Sequence, residues 1–288
     1  MEDGLRVVEV GACSAWPLPG DPTCAGAARR MFRRAAAGLA LDSAIADDGV
    51  LMVSELAANT LHVQRDEQER RQPPRPVPEL WLYLRGSGQR RELVCKVFDS
   101  FPGWLHGNVP GRGVCRAPAD ALGGRGLEVV RELSQGQWGH HPTRSRLAGW
   151  EVRGKAVWFA VPASAAQPQL ASATAPQGPD RYVTMTASQA MTELEAGLAA
   201  RGFGGRMVRA DDQRGDMAVL SVCGGVTVWC RAGVAWLRAP GLTGHRWHYA
   251  DLVEVAEQTV QAYETLAAKG EQQPLADATR TGALIMPA

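Results

Sequence analysis

Between Pro162 and Asp180 the sequence runs ASAAQPQLASATAPQGP, where Ala, Ser, Gln, Pro and Gly replace any periodic apolar pattern. A stretch with no apolar face cannot join a core, so it reads as a linker over 163–181, with a separate body on either side. The 288-residue length, at roughly 150 residues per domain, agrees with two bodies that each bury their own core. With 45% hydrophobic and 21% charged residues, both are expected to be globular. The expected division is a first domain over 1–162, the linker, a small accessory domain over 182–270 and a loose tail over 271–288.

Charge gives little guidance to partners. Thirty-one basic residues face thirty acidic ones, a formal net charge of +1, so bulk basicity predicts neither direct nucleic-acid binding nor an anionic membrane partner. The arginine groups Arg29-Arg30-Arg33-Arg34 and Arg70-Arg71-Arg75 read as solvated faces or protein-docking surfaces. No apolar run approaches the roughly 20 residues that cross a bilayer. The six cysteines form no Cys-x-x-Cys pair and follow no signal peptide, which predicts reduced thiols in a cytoplasmic protein. Nine tryptophans outnumber four tyrosines and five phenylalanines, which favours packed cores with amphipathic rings near surfaces.

In the first body, 22–39 and 42–62 have helical character, with Asp21 available to cap the first and Asp42 or Ser43 to open the second. The polar stretch 64–78 reads as an exposed loop. Strands are expected at 80–84 and 93–98, a Gly/Pro-rich loop at 99–126, a helix at 127–133, and strands at 147–152 and 157–161. The second body reads as helix 187–201, strands 217–222, 226–231 and 234–238 broken at Gly224-Gly225 and Ala232-Gly233, and helix 250–267. That is an α-β-β-β-α module with an antiparallel meander.

Three features of the first body suggest chemistry. Glu55 and Asn59, four apart on the second helix, share one face, where a carboxylate beside a carboxamide can orient a water and offer oxygen to Mg²⁺. GGRGL at 123–127 opens a helix, so backbone N–H groups there can approach phosphates at a helix N-terminus. Asp99, where a strand gives way to a loop, can accept a hydrogen bond from an adenine amino group. Each feature alone is common on solvated helices and turns. Their order and spacing together carry the reading.

In that order the chain resembles the Bergerat-fold, or GHKL, ATP-binding domains of gyrase, chaperone and histidine-kinase type, and within them the anti-sigma-factor serine kinases in their actinobacterial form. The segments are LMVSELAANTLHV (51–63), VFDSFPG (97–103), GGRGLEVVRELSQGQWG (123–139) and GKAVWFAVP (154–162), so the resemblance spans about 14–162. It implies a two-layer α/β sandwich, a mixed sheet covered on one face by helices, beside the second, smaller α+β domain. It implies Glu55 as the catalytic carboxylate and Asn59 as the Mg²⁺ ligand. Asp99 and Gly103 would lie at the base side of the ATP site, and Gly124, Arg125, Gly126 and Leu127 in the lid over the phosphates. The function implied is an ATP- and Mg²⁺-binding regulator that phosphorylates or sequesters a protein partner, a sigma factor or an anti-sigma antagonist, and that can form a homodimer.

The family's Asp-x-Gly-x-Gly pattern is changed here, because Ser100, Phe101 and Pro102 separate Asp99 from Gly103. Its final-strand threonine is replaced by Lys155 and Ala156, and Val63 stands where relatives carry a basic or imidazole side chain. These changes favour an alternative, a non-catalytic switch in which nucleotide alters the 103–126 lid and a protein interface. No phospho-acceptor histidine box precedes the domain, so a self-contained histidine kinase is not expected.

Two further patterns are set aside. Gly149 to Lys155 matches Gly-x-x-x-x-Gly-Lys, but Ala156 offers no hydroxyl to Mg²⁺ and a strand follows. Cys223, Cys230, His245 and His248 have zinc-ligand chemistry at spacings unlike the usual ones. His140-His141 is expected to be solvated in a loop.

Overall fold

In a computed structural model the described residues are 8–68, 76–87, 90–101, 126–149, 151–163, 180–223 and 225–268. The chain divides into two units, Met1–Pro179 and Asp180–Ala288. Both are mixed α/β, and among the described residues there are six helices and two antiparallel sheets. No described helix is long and apolar enough to cross a membrane.

The first unit runs β1 (Cys13–Pro17), α1 (Cys24–Gly38), α2 (Ser43–Gln68), β2 (Glu79–Arg85), β3 (Glu92–Asp99), α3 (Gly126–Leu133), β4 (Trp138–Arg144) and β5 (Arg153–Pro162). The sheet order is β1-β2-β3-β5-β4, and all four pairings are antiparallel. The expected mixed sheet is therefore corrected to a wholly antiparallel one.

Strand alternation sends Leu80, Leu82 and Leu84, Leu93, Cys95 and Val97, and Val157, Phe159 and Val161 to one face. There they meet Phe32 of α1, Met52, Val53 and Leu56 of α2 and Val130 of α3 in a single core. Asp42 opens α2, accepting from Ala44 N at 2.9 Å and Ile45 N at 3.4 Å. Asp21 does not cap α1 directly. Thr23 is the N-cap residue, and Asp21 Oδ1 accepts from Thr23 N at 2.8 Å and Thr23 Oγ1 at 2.5 Å. The polar stretch after 64 begins as the last turn of α2, and 69–75 lies outside the described residues.

The expected strand at 147–152 is wrong. The pairing strand is Trp138–Arg144, and residues 146–148 form a bend, with Gly149 at φ 92°. Glu79, 1% exposed, holds that bend: its carboxylate accepts from Ser145 Oγ, Arg146 N at 2.9 Å, Leu147 N at 3.4 Å and Trp81 Nε1 at 2.8 Å. β4 is an edge strand, where Pro142 is tolerated because an edge residue need not donate to a neighbour. WGHHPTR accordingly lacks the apolar alternation of a central strand.

The second unit runs α4 (Asp180–Thr184), α5 (Ala187–Leu198), β6 (Val208–Asp211), β7 (Met217–Cys223), β8 (Val226–Arg231), β9 (Val234–Ala239), β10 (Leu242–His248) and α6 (Leu252–Ala268). The meander has five strands in sequential order, two more than expected. The additional strands, β6 and β10, are again edges and carry little apolar alternation. Between β8 and β9, Ala232 and Gly233 both take positive φ (49° and 80°), the geometry of a two-residue hairpin turn. Thr186 and Gln189 form a capping box that starts α5. The buried Arg201–Glu257 ion pair ties the turn after α5 to α6.

Candidate functional site

Glu55 and Asn59 lie one turn apart on α2, both partly buried. This helix packs against α1, α3, β3 and β5. Arg29 of α1 donates to Ser54 Oγ at 2.7 Å and fixes the register of the two helices beside Glu55. Cys24 Sγ donates to Ala57 O at 3.7 Å on the same seam, and burial pushes its thiol up to about 11. That thiol stays protonated and inert near neutral pH.

Gly126, the first residue of α3, sits directly against Glu55. A Cβ placed on Gly126 would lie 2.6 Å from Glu55 Oε2 and 3.4 Å from Glu55 Cβ, so glycine lets the carboxylate lie against the start of α3. The start of a helix carries the positive end of its dipole and unpaired N–H groups, which is favourable ground for a carboxylate or another anion. The next residue, Leu127, packs on the core through its partly buried side chain. Gly103, Gly124 and Arg125 lie outside the described residues.

Asp99 ends β3 and is 3% exposed. Lys155 of β5, its register partner, donates from Nζ to Asp99 Oδ2 at 2.8 Å and to Phe101 O at 2.6 Å. Phe101 N donates to Asp99 Oδ1 at 3.0 Å, so both carboxylate oxygens are engaged. Lys155 is the residue that the sequence reading missed. In the sequence it reads as part of a false P-loop and as the absence of a hydroxyl, whereas in the fold it is the cation that pairs with Asp99. No local signal marks it, because the pairing of Lys155 with the last residue of β3 is set by the register between two strands distant in sequence. Lys155 lies on a strand, which removes the P-loop geometry from Gly149–Lys155.

These two clusters answer differently to ATP and Mg²⁺. The oxygen donors of Glu55 and Asn59 suit a hard cation, and the glycine-led start of α3 suits phosphate. Asp99 Oδ1 and Oδ2 each accept one of these bonds, and a carboxylate with about four lone-pair sites keeps room for a further donor such as an adenine amino group.

His141 is not in a solvated loop as expected. It lies on β4, 2% exposed, with Nε2 3.2 Å from Lys96 Nζ. An ammonium only donates, so Nε2 accepts and Nδ1 carries the proton, donating to Pro142 O at 3.1 Å. Lys96 Nζ also lies 5.3 Å from the centroid of the Tyr83 ring. Among the four residues with zinc-ligand chemistry, Cys230 is buried on the helix side of the second sheet, with its thiol pushed up to about 12 by burial. His248 lies in the opposite row, paired with Val234, so the two do not converge.

A scan of protein-family models gives no match to the chain, and a search of curated proteins gives none either.

Proposed function

We propose that the first unit is a Bergerat-type ATP-binding domain, and that the protein is an ATP- and Mg²⁺-binding regulator resembling anti-sigma-factor serine/threonine kinases. On this reading it phosphorylates or sequesters a protein partner of sigma-factor or anti-sigma-antagonist type. The observation that supports it best is the contact between Glu55 and Gly126. It sets a carboxylate from the middle of α2 against the glycine that starts α3, the juxtaposition required of a base beside a phosphate-binding helix start. A sheet with helices packed on one face is compatible with the α/β class of that fold, although its pairings are all antiparallel.

Asn59 would hold the metal, the N–H groups at the start of α3 would meet phosphate oxygens, and Glu55 would accept a proton from a partner's hydroxyl. Bound Mg·ATP would supply the transferable phosphoryl group. Calorimetric titration of the full chain with ATP tests this. Saturable, Mg²⁺-dependent binding is expected, with the metal dependence lost in Asn59→Ala. Glu55→Ala is expected to retain binding and to lose transfer to a partner serine. Unchanged Mg²⁺-dependent affinity in Asn59→Ala would overturn the assignment.

The Lys155–Asp99 pair favours a second reading, a nucleotide-dependent interaction switch without transfer. A base that bonded Asp99 would share its carboxylate with Lys155 and Phe101, so nucleotide and the end of β3 would be coupled. Such coupling requires the ligand to prefer one of the two arrangements. Under this reading ATP affinity differs between wild type and the double variant Lys155→Met/Asp99→Asn, which leaves no buried charge unpaired, while no partner is phosphorylated by either.

A further inference from the structure

The five strands of the second unit bury one face and expose the other. Ala218, Leu220 and Val222, Val226, Val228 and Cys230, and Ala235, Leu237 and Ala239 are buried, and α5 and α6 pack on these strands. The alternate residues lie on the opposite face. There Val219, Trp229, Trp236 and Arg246 form one cross-strand row, with Trp229 and Trp236 half-buried and Arg246 exposed. The Arg246 guanidinium lies 5.9 Å from the Trp236 ring centroid. The neighbouring rows add Arg231, Arg238 and His248, all exposed.

Among the described residues, the five strands place no carboxylate on this face. The single acidic residue in the five strands is Asp211, which belongs to the helix side, where it accepts from Arg209 and Ser188. Three arginines and two indoles with no acid among them make a surface complementary to an acidic, partly apolar partner. Tryptophan and arginine are also the residues that most often dominate binding energy at protein interfaces.

We infer that this face docks a protein segment that carries carboxylates around an apolar anchor. The anchor meets Trp229 and Trp236, and the carboxylates meet Arg231, Arg238 and Arg246. Aliphatic Val219 and Val234 in the same rows suit side chains more than stacked bases. A chain of net charge +1 also has no bulk basicity that would draw in nucleic acid. The inference is independent of the nucleotide reading of the first unit.

The test uses the full chain and a random dodecapeptide display library. Selected peptides are expected to carry Asp or Glu on both sides of an apolar pair and to bind more weakly as salt rises. Affinity should fall about tenfold in Arg238→Glu/Arg246→Glu, with the fold checked by circular dichroism. Arg238→Gln/Arg246→Gln repeats the measurement should the charge reversals unfold the protein. No enriched sequence, neutral or basic winners, or equal binding to both double variants would overturn the inference. Oligothymidylate that binds more tightly than any selected peptide, and is lost in the same variants, would also overturn it by assigning the face to single-stranded nucleic acid.

Discussion

Lys155 Nζ donates to Asp99 Oδ2 across 2.8 Å where β5 pairs with the last residue of β3, and the two residues are 7% and 3% exposed. The ammonium reaches the Phe101 carbonyl as well, at 2.6 Å, so one cation closes the end of the strand. A buried pair of this kind adds little over a well-packed apolar pair, but loss of one partner leaves a buried charge uncompensated. Lys155→Met is therefore expected to lower stability by about 3–5 kcal/mol, and Lys155→Met/Asp99→Asn to recover most of that loss. Urea denaturation of the two variants and of Asp99→Asn completes the cycle. Additive single effects would mean that the two side chains are not coupled.

The approach of Gly126 to Glu55 gives a second expectation, and its sign is decided by space. Alanine forms helices better than glycine by roughly 1 kcal/mol in a helix interior, so Gly126→Ala would stabilise α3 if nothing stood in the way. Glu55 Oε2 stands 2.6 Å from the new Cβ. Oε2 is the far end of a flexible side chain that can swing aside, so the net change should stay within about 1 kcal/mol of neutral, less favourable than the propensity gain alone. Glu55→Ala in the same chain should restore stability to the level of Glu55→Ala alone. If Gly126→Ala had the same effect with Glu55 present and with Glu55→Ala, the two side chains would not be in contact.

A similar contest occurs at Gly49 in α2, with a harder obstacle. Its Cβ would fall 2.3 Å from two ring carbons of Phe32, a side chain with no exposure that also contacts Phe159 at 5.8 Å between centroids. Phe32 cannot yield without disturbing β5, so Gly49→Ala should be destabilising by about 1–3 kcal/mol despite its better helix propensity. Gly38→Ala at the end of α1, where no atom lies within 4 Å of the new Cβ, serves as the control and should be neutral or slightly stabilising. Thermal or urea midpoints of the two variants decide the point.

What was legible in the sequence was whatever a single covered face enforces. Leu80, Leu82 and Leu84 or Val157, Phe159 and Val161 announce their strands because helices cover that side of the sheet, and the same pressure marks α1 and α2. Edge strands lack it. Cys13–Pro17, Trp138–Arg144, Val208–Asp211 and Leu242–His248 each end a sheet, and none was read as a strand. The placement of His141 followed from the same gap, since a histidine in an unread strand cannot be seen to meet Lys96 across the sheet. Glu55 and Asn59 could be paired by helical spacing alone, and Gly126 by its place before an apolar run. The Lys155–Asp99 pair depends on the register between β3 and β5, which no local pattern encodes.

Arg209 supplies the last expectation, because its guanidinium grips Asp211 with two parallel bonds, Nε to Oδ1 at 2.7 Å and Nη2 to Oδ2 at 2.5 Å. Hydrogen bonds from Arg209 and then Ser188 hold the Asp211 carboxyl below its ordinary value of 3.8. The folded state therefore binds the proton more weakly than the unfolded chain. The stabilisation is fully present above the unfolded value and is lost as pH falls through the folded one. Solvent reaches both partners, with 22% and 26% of their side chains exposed, so the contribution should stay below about 1 kcal/mol and shrink in high salt. Urea midpoints of the second unit, followed by tryptophan fluorescence, should fall less steeply below about pH 4 in Asp211→Asn than in the wild type. Parallel acid limbs for the two proteins would mean that Asp211 titrates alike in the folded and unfolded chains.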